Sequence, residues 1–272
     1  MIMDSITENT KLDDKISEIE AELNADIYNK IQIVVVEGSD DVQFVKNNFQ
    51  MQNVIVKESF SGKADLTNIV ESPLLMDKRV IGIRDRDYMD TTELSEKMFC
   101  YDTCCLELML LSNKDVRDNI FGTAYHGCKE YGHVIENALK QLAPLSVMRR
   151  ENEIRGLGIK FERAGVANHV DVMHETLDFV KVYERIGTNK ISYEECVDMA
   201  AQMTSDELIE VTNGHDLCNF LGVILNGYKG TMGEKQFMFL LLTVYRKSDF
   251  VNTQLYYDIK NYQEQYNLQY VD

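Results

Sequence analysis

The sequence has no apolar run approaching the roughly 20 residues needed to span a bilayer, so no membrane-spanning segment is expected. Its first residues, MIMDSITENTKLDD, lack both a basic stretch and an apolar stretch, so no secretory leader is expected. Six cysteines fall at positions 100, 104, 105, 128, 196 and 218 with no CxxC pair. A chain of this size needs no staples, and reduced, cytoplasmic thiols are the expectation. Proline occurs only at Pro73 and Pro144, and no internal repeat is visible. Positive charge is also scarce: 28 Lys and Arg against 45 Asp and Glu give a net charge of −17. Residues 1–150 carry about −9 and residues 151–272 about −8, so neither half is a basic module. Nucleic-acid backbones are gripped chiefly by clustered cations. A free-standing nucleic-acid binder is therefore disfavoured, unless divalent metals neutralise a pocket or a basic partner or local patch supplies the grip.

What is present is an ordinary globular composition, 44% hydrophobic and 27% charged over 272 residues, with room for one or two domains. Leu12, Ile16, Ile19, Leu23 and Ile27 recur at helical spacing and predict an amphipathic helix within 1–29. Four short β-rich runs follow: 31–36, 54–56, 79–83 and 98–101. Between them lie helical patterns, one with Val42, Phe44, Val45 and Phe49, and one opened by Ser61-Gly62 with Leu66, Ile69 and Val70. Ser39 or Asp40 is placed to cap the first of these. A further apolar helix is expected from Cys104 to Leu111. This alternation predicts an α/β fold, Rossmann-like, with a parallel sheet over 30–125. A mainly helical region is expected over 126–272, with a boundary zone at 145–158. Its stripes are Val134, Ile135, Ala138, Leu139 and Leu142; then Leu217, Phe220, Leu221, Ile224, Leu225 and Tyr228. Residues 237–244, apolar nearly all round, suggest a buried helix or a covered interface, and with the Tyr-rich stripe Leu255, Ile259, Tyr262 and Tyr266 they are candidate docking area for a partner.

Chemistry concentrates in four carboxylates, Glu37, Asp41, Asp85 and Asp87. Glu37 and Asp85 each follow a strand, and the carboxyl ends of parallel strands share one edge where ligands bind, so the two can converge across 48 residues of chain. Glu37 and Asp41 have ExxxD spacing. In extended chain Asp85 and Asp87 share a face while Arg84 and Arg86 take the other. Oxygen-rich sites suit hard cations such as Mg²⁺ or Mn²⁺. Gathered carboxylates repel one another, and a divalent ion relieves that repulsion and supports phosphodiester cleavage.

VVVEGSDD at 34–41 and IGIRDRDY at 81–88 resemble the paired motifs of Toprim domains, the catalytic fold shared by topoisomerases, primases and OLD-family nucleases. The resemblance implies that Glu37 is a general acid/base and metal ligand and that Asp85 and Asp87 bind metal. The ExxxD spacing adds Asp41 and resembles the OLD-type nuclease branch, in which two cations and a lysine serve hydrolysis; Lys63 is the candidate lysine. MFCYDTCCLELMLL, with Glu107 as a further metal candidate, resembles the stand-alone Toprim proteins that accompany ATPases in bacterial anti-phage defence, the effector of the phage anti-restriction-induced system (PARIS) among them. Asn213-Gly214-His215-Asp216 resembles a downstream motif of that group. The specific likeness covers residues 30–110. It implies a Mg²⁺-dependent nuclease acting on RNA such as tRNA, or on DNA, held by an ATPase partner subunit and able to form a homodimer on release.

Plainer readings stand beside these. The carboxylates could form a solvated strand-end cluster, and Asp41 could simply favour its helix N-terminus. Glu107 could lie on an exposed helix face, Lys63 on the surface, and His215 could cap or pack. Cys100, Cys104 and Cys105 fit a core. Arg149, Arg150, Arg155, Lys160 and Arg163 either contact phosphates or form a solvated face. A non-catalytic interaction subunit is the rival from another class. DRDYMDTT prompts comparison with haloacid-dehalogenase-like phosphatases, but these want their aspartate pair on the first strand. A response-regulator receiver fits Glu-Gly with Asp-x-Asp poorly.

Overall fold

The computed structural model describes residues 2–60, 62–88, 94–127, 130–226 and 232–272. Ser61, Cys128, Tyr228 and residues 89–92 of DRDYMDTT lie outside the described residues. The chain forms α1 (Ile2–Ala25), β1 (Gln32–Val36), α2 (Ser39–Asn48), β2 (Val54–Glu58), α3 (Lys63–Val70), β3 (Val80–Arg84) and β4 (Met98–Cys100). It continues through α4 (Leu106–Ser112), α5 (Lys114–Ala124), α6 (Val134–Ile154), β5 (Val170–Asp171), β6 (Thr176–Leu177), α7 (Phe179–Ile186), α8 (Tyr193–Ala200) and α9 (Ser205–Ile209). It ends in α10 (Gly214–Asn226), α11 (Glu234–Val244), α12 (Lys247–Phe250) and α13 (Gln254–Tyr266). Two compact units result: 1–86, 90–102 and 246–272 form the first, and 87–89 with 103–245 the second.

The first unit is built on the four expected strands, all parallel, in the order β2-β1-β3-β4. The inner strands β1 and β3 are buried along their whole length, which is why they read as continuous β-branched runs and not as alternations. Ile33, Val35 and Val80 meet Ile16, Ile19 and Leu23 of α1 and Leu66, Ile69 and Val70 of α3 in one cluster. Gly82 permits this packing: a Cβ there would stand 2.6 Å from Met98 Sδ and 2.9 Å from Leu66 Cδ2. Phe44 of α2 and Phe250 of α12 meet edge to face at 5.4 Å, and Phe99 of β4 meets Tyr262 of α13 at 5.6 Å.

Several expectations need correction here. The first helix stops at Ala25, so Ile27 falls in the following turn and is 78% exposed. The boundary zone 145–158 lies largely inside α6, a helix that continues through Pro144 to Ile154. The compact units part at 102/103, not at 125/126, and the chain returns to the first unit at Arg246. The Tyr-rich stripe is consumed in that return: Leu255, Ile259 and Tyr262 are buried, and Tyr262 donates its hydroxyl to the Lys78 carbonyl at 2.9 Å. It is core of the first unit and not free docking area. For 237–244 the buried-helix reading holds: α11 buries Phe237, Met238, Leu241 and Leu242, although Phe239 is 71% exposed.

Among its described residues, the regular elements of the second unit are helices except for the two-stranded antiparallel ribbon β5-β6. Helix α6 packs against α7, α8, α9 and α10, and α10 packs against α4, α5 and α11. Among the described residues no helix is long and apolar enough to cross a membrane.

Candidate functional site

In the first unit the chain runs from β1 to β2 on one side and then crosses to β3 on the other, so β1 and β3 lie side by side as the switch point of the sheet. Parallel sheets bind ligands just beyond the carboxyl ends of such a pair. Val36 pairs with Ile83 in register, which brings Glu37 and Asp85 to that point. Glu37 Oε1 accepts the Asp85 backbone N–H at 3.2 Å. The convergence expected across the intervening chain is thus present.

Asp41 joins them from the first turn of α2. Its Oδ2 accepts the Gly38 N–H at 2.9 Å, and its Oδ1 accepts the Tyr101 hydroxyl at 2.5 Å. Neither Ser39 nor Asp40 is the N-cap, because Gly38 holds that position. Tyr101, just past β4, is fully buried and braced edge to face by Phe44 at 5.7 Å. Burial, then the negative charges of Asp41, Asp85 and Glu37, hold its pKa well above the usual tyrosine value. The phenol therefore keeps its proton and remains a donor.

Arg84 does not turn away from the carboxylates. It is 4% exposed, its Nε donates to the Asp85 carbonyl at 3.1 Å, and that Nε stands 3.9 Å from Glu37 Oε1. A fixed positive charge thus stands beside the Glu37 carboxylate. Alternation fails further on as well. Asp87 sits in a turn with φ 49°, a left-handed conformation that Asp tolerates because its short side chain bonds locally. Its backbone N–H is held by the Cys104 carbonyl at 3.0 Å, within the second unit. Lys63 is the first residue of α3. The Ser59 hydroxyl bonds both the Glu37 carbonyl at 3.3 Å and the Gly62 carbonyl at 3.1 Å, which ties the start of α3 to the end of β1.

Glu37, Asp41 and Asp85 offer hard oxygen donors of the kind Mg²⁺ or Mn²⁺ prefers. Their placement is a separate matter. Among the described residues no three His, Cys, Asp or Glu side chains converge closely enough to hold a metal ion. The donors match the ion in kind and are not gathered into a cage.

The second unit holds Glu107 and the NGHD segment. Glu107, in the first turn of α4, is 8% exposed and not on an open face. Each residue of Asn213-Gly214-His215-Asp216 has its own task. The Asn213 side chain accepts the Asp216 N–H at 3.1 Å and so caps α10. Gly214 makes room for Glu107, whose Oε2 would lie 2.1 Å from a Cβ there. Asp216 is clamped by Arg149, with Nε to Oδ2 at 2.6 Å and Nη2 to Oδ1 at 3.0 Å. His215, 65% exposed, has Nδ1 2.8 Å from Glu234 Oε1 and 3.8 Å from Glu107 Oε1. Partial burial opposes its charged form, yet Glu107 and Glu234 outweigh this and raise its pKa. Capping is thus the work of Asn213, while His215 faces carboxylates.

Of the cysteines, Cys104, Cys105, Cys196 and Cys218 are buried and Cys100 is half-buried; none of the described five is in a disulfide. Sequence reasoning missed Tyr101 and Glu234 and turned Arg84 to the opposite face. Arg84 carried a usable signal, a charged residue closing an otherwise apolar buried strand. No protein-family model matches the chain, and no curated protein matches it.

Proposed function

We propose that the chain is a metal-dependent nuclease of the Toprim type that hydrolyses phosphodiester bonds in RNA, tRNA included, or in DNA. The observation that carries this reading is the meeting of Glu37 and Asp85 at the β1/β3 switch point, with Asp41 held beside Tyr101. In this reading Glu37 accepts or returns a proton at the reacting phosphate. Arg84 limits the mutual repulsion of the carboxylates, and Tyr101 fixes the orientation of Asp41. A Mg²⁺ or Mn²⁺ ion at Glu37, Asp41 and Asp85 would supply Lewis-acid stabilisation of negative charge on the phosphate. Lys63, tied to the end of β1 through Ser59, is the cation proposed to meet that charge. Asp87 and Glu107 enter only through the motifs that contain them. Purified chain with Mg²⁺ should cleave tRNA or DNA, and Glu37→Gln should lower the rate by at least ~10² while the protein stays folded. Undiminished cleavage by that variant would refute the role of Glu37.

The biological setting proposed with it is bacterial anti-phage defence, in the cytoplasm, with a basic-surfaced ATPase holding the nuclease until a trigger releases it as a homodimer. The acidic charge of −17 supports a held protein over a solitary one. Co-purification from the native host should recover the ATPase, more completely at low salt. A chain recovered alone at low salt and fully active untriggered would remove the basis for sequestration.

A non-catalytic interaction subunit is the second reading. It is favoured by both Asp41 oxygens being occupied within the fold and by the absence of a three-group cluster among the described residues. Wild-type protein that forms the ATPase complex but cleaves neither RNA nor DNA would decide for it.

A further inference from the structure

Arg149, Arg150, Arg155, Lys160 and Arg163 are adjacent in sequence but do different work in the second unit. Arg149 is spent on Asp216 and stacks over the Phe161 ring at 4.4 Å. Arg150 and Arg155 both pair with Glu151, and Arg155 also reaches Glu195 at 2.8 Å. Lys160 and Arg163 make no ion pair with any described residue, and both are exposed. They line an open pocket of about 390 Å³ together with Gly187, Thr188, Asn189 and Lys190. Lys190 is a third cation, invisible to any window around residue 155. Its Nζ donates to the Leu157 carbonyl and stands 3.7 Å from where a Cβ on Gly158 would be. Gly158 has φ +64°, so the backbone turns there with no side chain between the ammonium and the opening. Among the described residues of the wall, Glu162 is the one acid.

Three cations against one carboxylate form a local exception in a chain of net charge −17. Screening over about 8–10 Å lets such a pocket act on a ligand largely apart from the distant acidic surface. The wall has a planar donor fork in Arg163, two ammonium groups, and the hydroxyl and amide of Thr188 and Asn189. That is donor chemistry for phosphate oxygens.

We propose that this pocket binds the phosphodiester backbone of a nucleic acid. The choice of nucleic acid over another phosphate carrier rests on the nuclease reading above; the pocket itself does not. The test is anisotropy of a fluorescein-labelled single-stranded RNA oligonucleotide, in EDTA so that metal-dependent cleavage is suppressed, across a salt series. Wild type, Lys160→Ala/Arg163→Ala and Lys235→Ala, a lysine outside the pocket, are compared. Each phosphate neutralised contributes about 0.7 to the salt slope on single strands, so the double variant should lose about 1.4 of slope and at least ~10-fold in affinity at low salt. Lys235→Ala should bind as wild type does. Both pocket side chains are exposed, so the melting temperature should not change. Inorganic phosphate is titrated separately. Wild-type RNA affinity and slope in the double variant overturn the proposal, and so does saturation by inorganic phosphate with RNA binding unaffected by the substitutions. Binding is read without turnover, so a wild type that never cleaves leaves this result standing, and a failed pocket leaves the cleavage assay standing.

Discussion

Asp41 has two carboxylate oxygens, one on the Gly38 N–H and the other on the Tyr101 hydroxyl. The ExxxD spacing made Asp41 legible because both partners of that pair lie within five residues of chain. Tyr101 was not legible: it lies 60 residues away, and nothing in Met98-Phe99-Cys100-Tyr101 says which face its hydroxyl meets. Arg84 was misread because strand alternation predicts where a Cβ points and not where a long guanidinium ends. Tyr101→Phe removes one hydrogen bond to a charged group and should cost about 1.5–3 kcal/mol in chemical denaturation. It should also weaken Mn²⁺ binding about 10-fold or more, as loss of a group orienting a metal ligand does. Unchanged ion affinity in a folded Tyr101→Phe protein would reduce Tyr101 to a packing residue.

At the scale of elements, the four strands were legible because full burial of β1 and β3 demands β-branched runs without interruption. Which helix covers which strand was not. Periodicity in α13 marks its apolar face, but the sheet edge it covers is contributed by β4, more than 150 residues earlier. The starts of β1 and β3 are tied by Arg79, which is 9% exposed. Its Nη2 bonds Asp77 Oδ2 at 2.7 Å and its Nη1 bonds Asp26 Oδ2 at 3.1 Å, while Asp26 Oδ2 also takes the Ile31 N–H at 2.6 Å. Burial would raise the Asp77 pKa, but the Arg79 hydrogen bonds outweigh it and the pKa is lowered. That of Asp26 is lowered, first by the Ile31 N–H. Carboxylates with lowered folded pKa values contribute stability above their ordinary pKa and lose it as pH falls through the folded value. Melting temperature should therefore drop as pH falls below the ordinary aspartate pKa of about 4, and Asp77→Asn should flatten that drop while lowering stability at neutral pH. Parallel melting curves for the two proteins across that range would show that the tie carries no pH-linked stability.

On the scale of the whole molecule, composition pointed to an acidic protein for which any nucleic-acid grip must be local or borrowed. The proposed pocket of Lys160, Arg163 and Lys190 would be a local source, which the linear sequence hid by placing Lys190 after a separate helix. The two-unit division was illegible for a related reason: the first unit closes with residues 246–272, and no composition shift marks a chain that leaves a domain and returns to it. The central claim concerns Glu37, Asp41 and Asp85, and thermal melting with and without millimolar Mg²⁺ tests it most directly. A divalent ion bound only by the folded protein stabilises it, by about 2.7 kcal/mol at 100 times the dissociation constant. Wild type should therefore melt at a higher temperature with Mg²⁺, and Asp85→Ala should show no such rise. An equal rise in both proteins would mean that the ion only screens a surface of charge −17, and would contradict a metal site at the β1/β3 switch point.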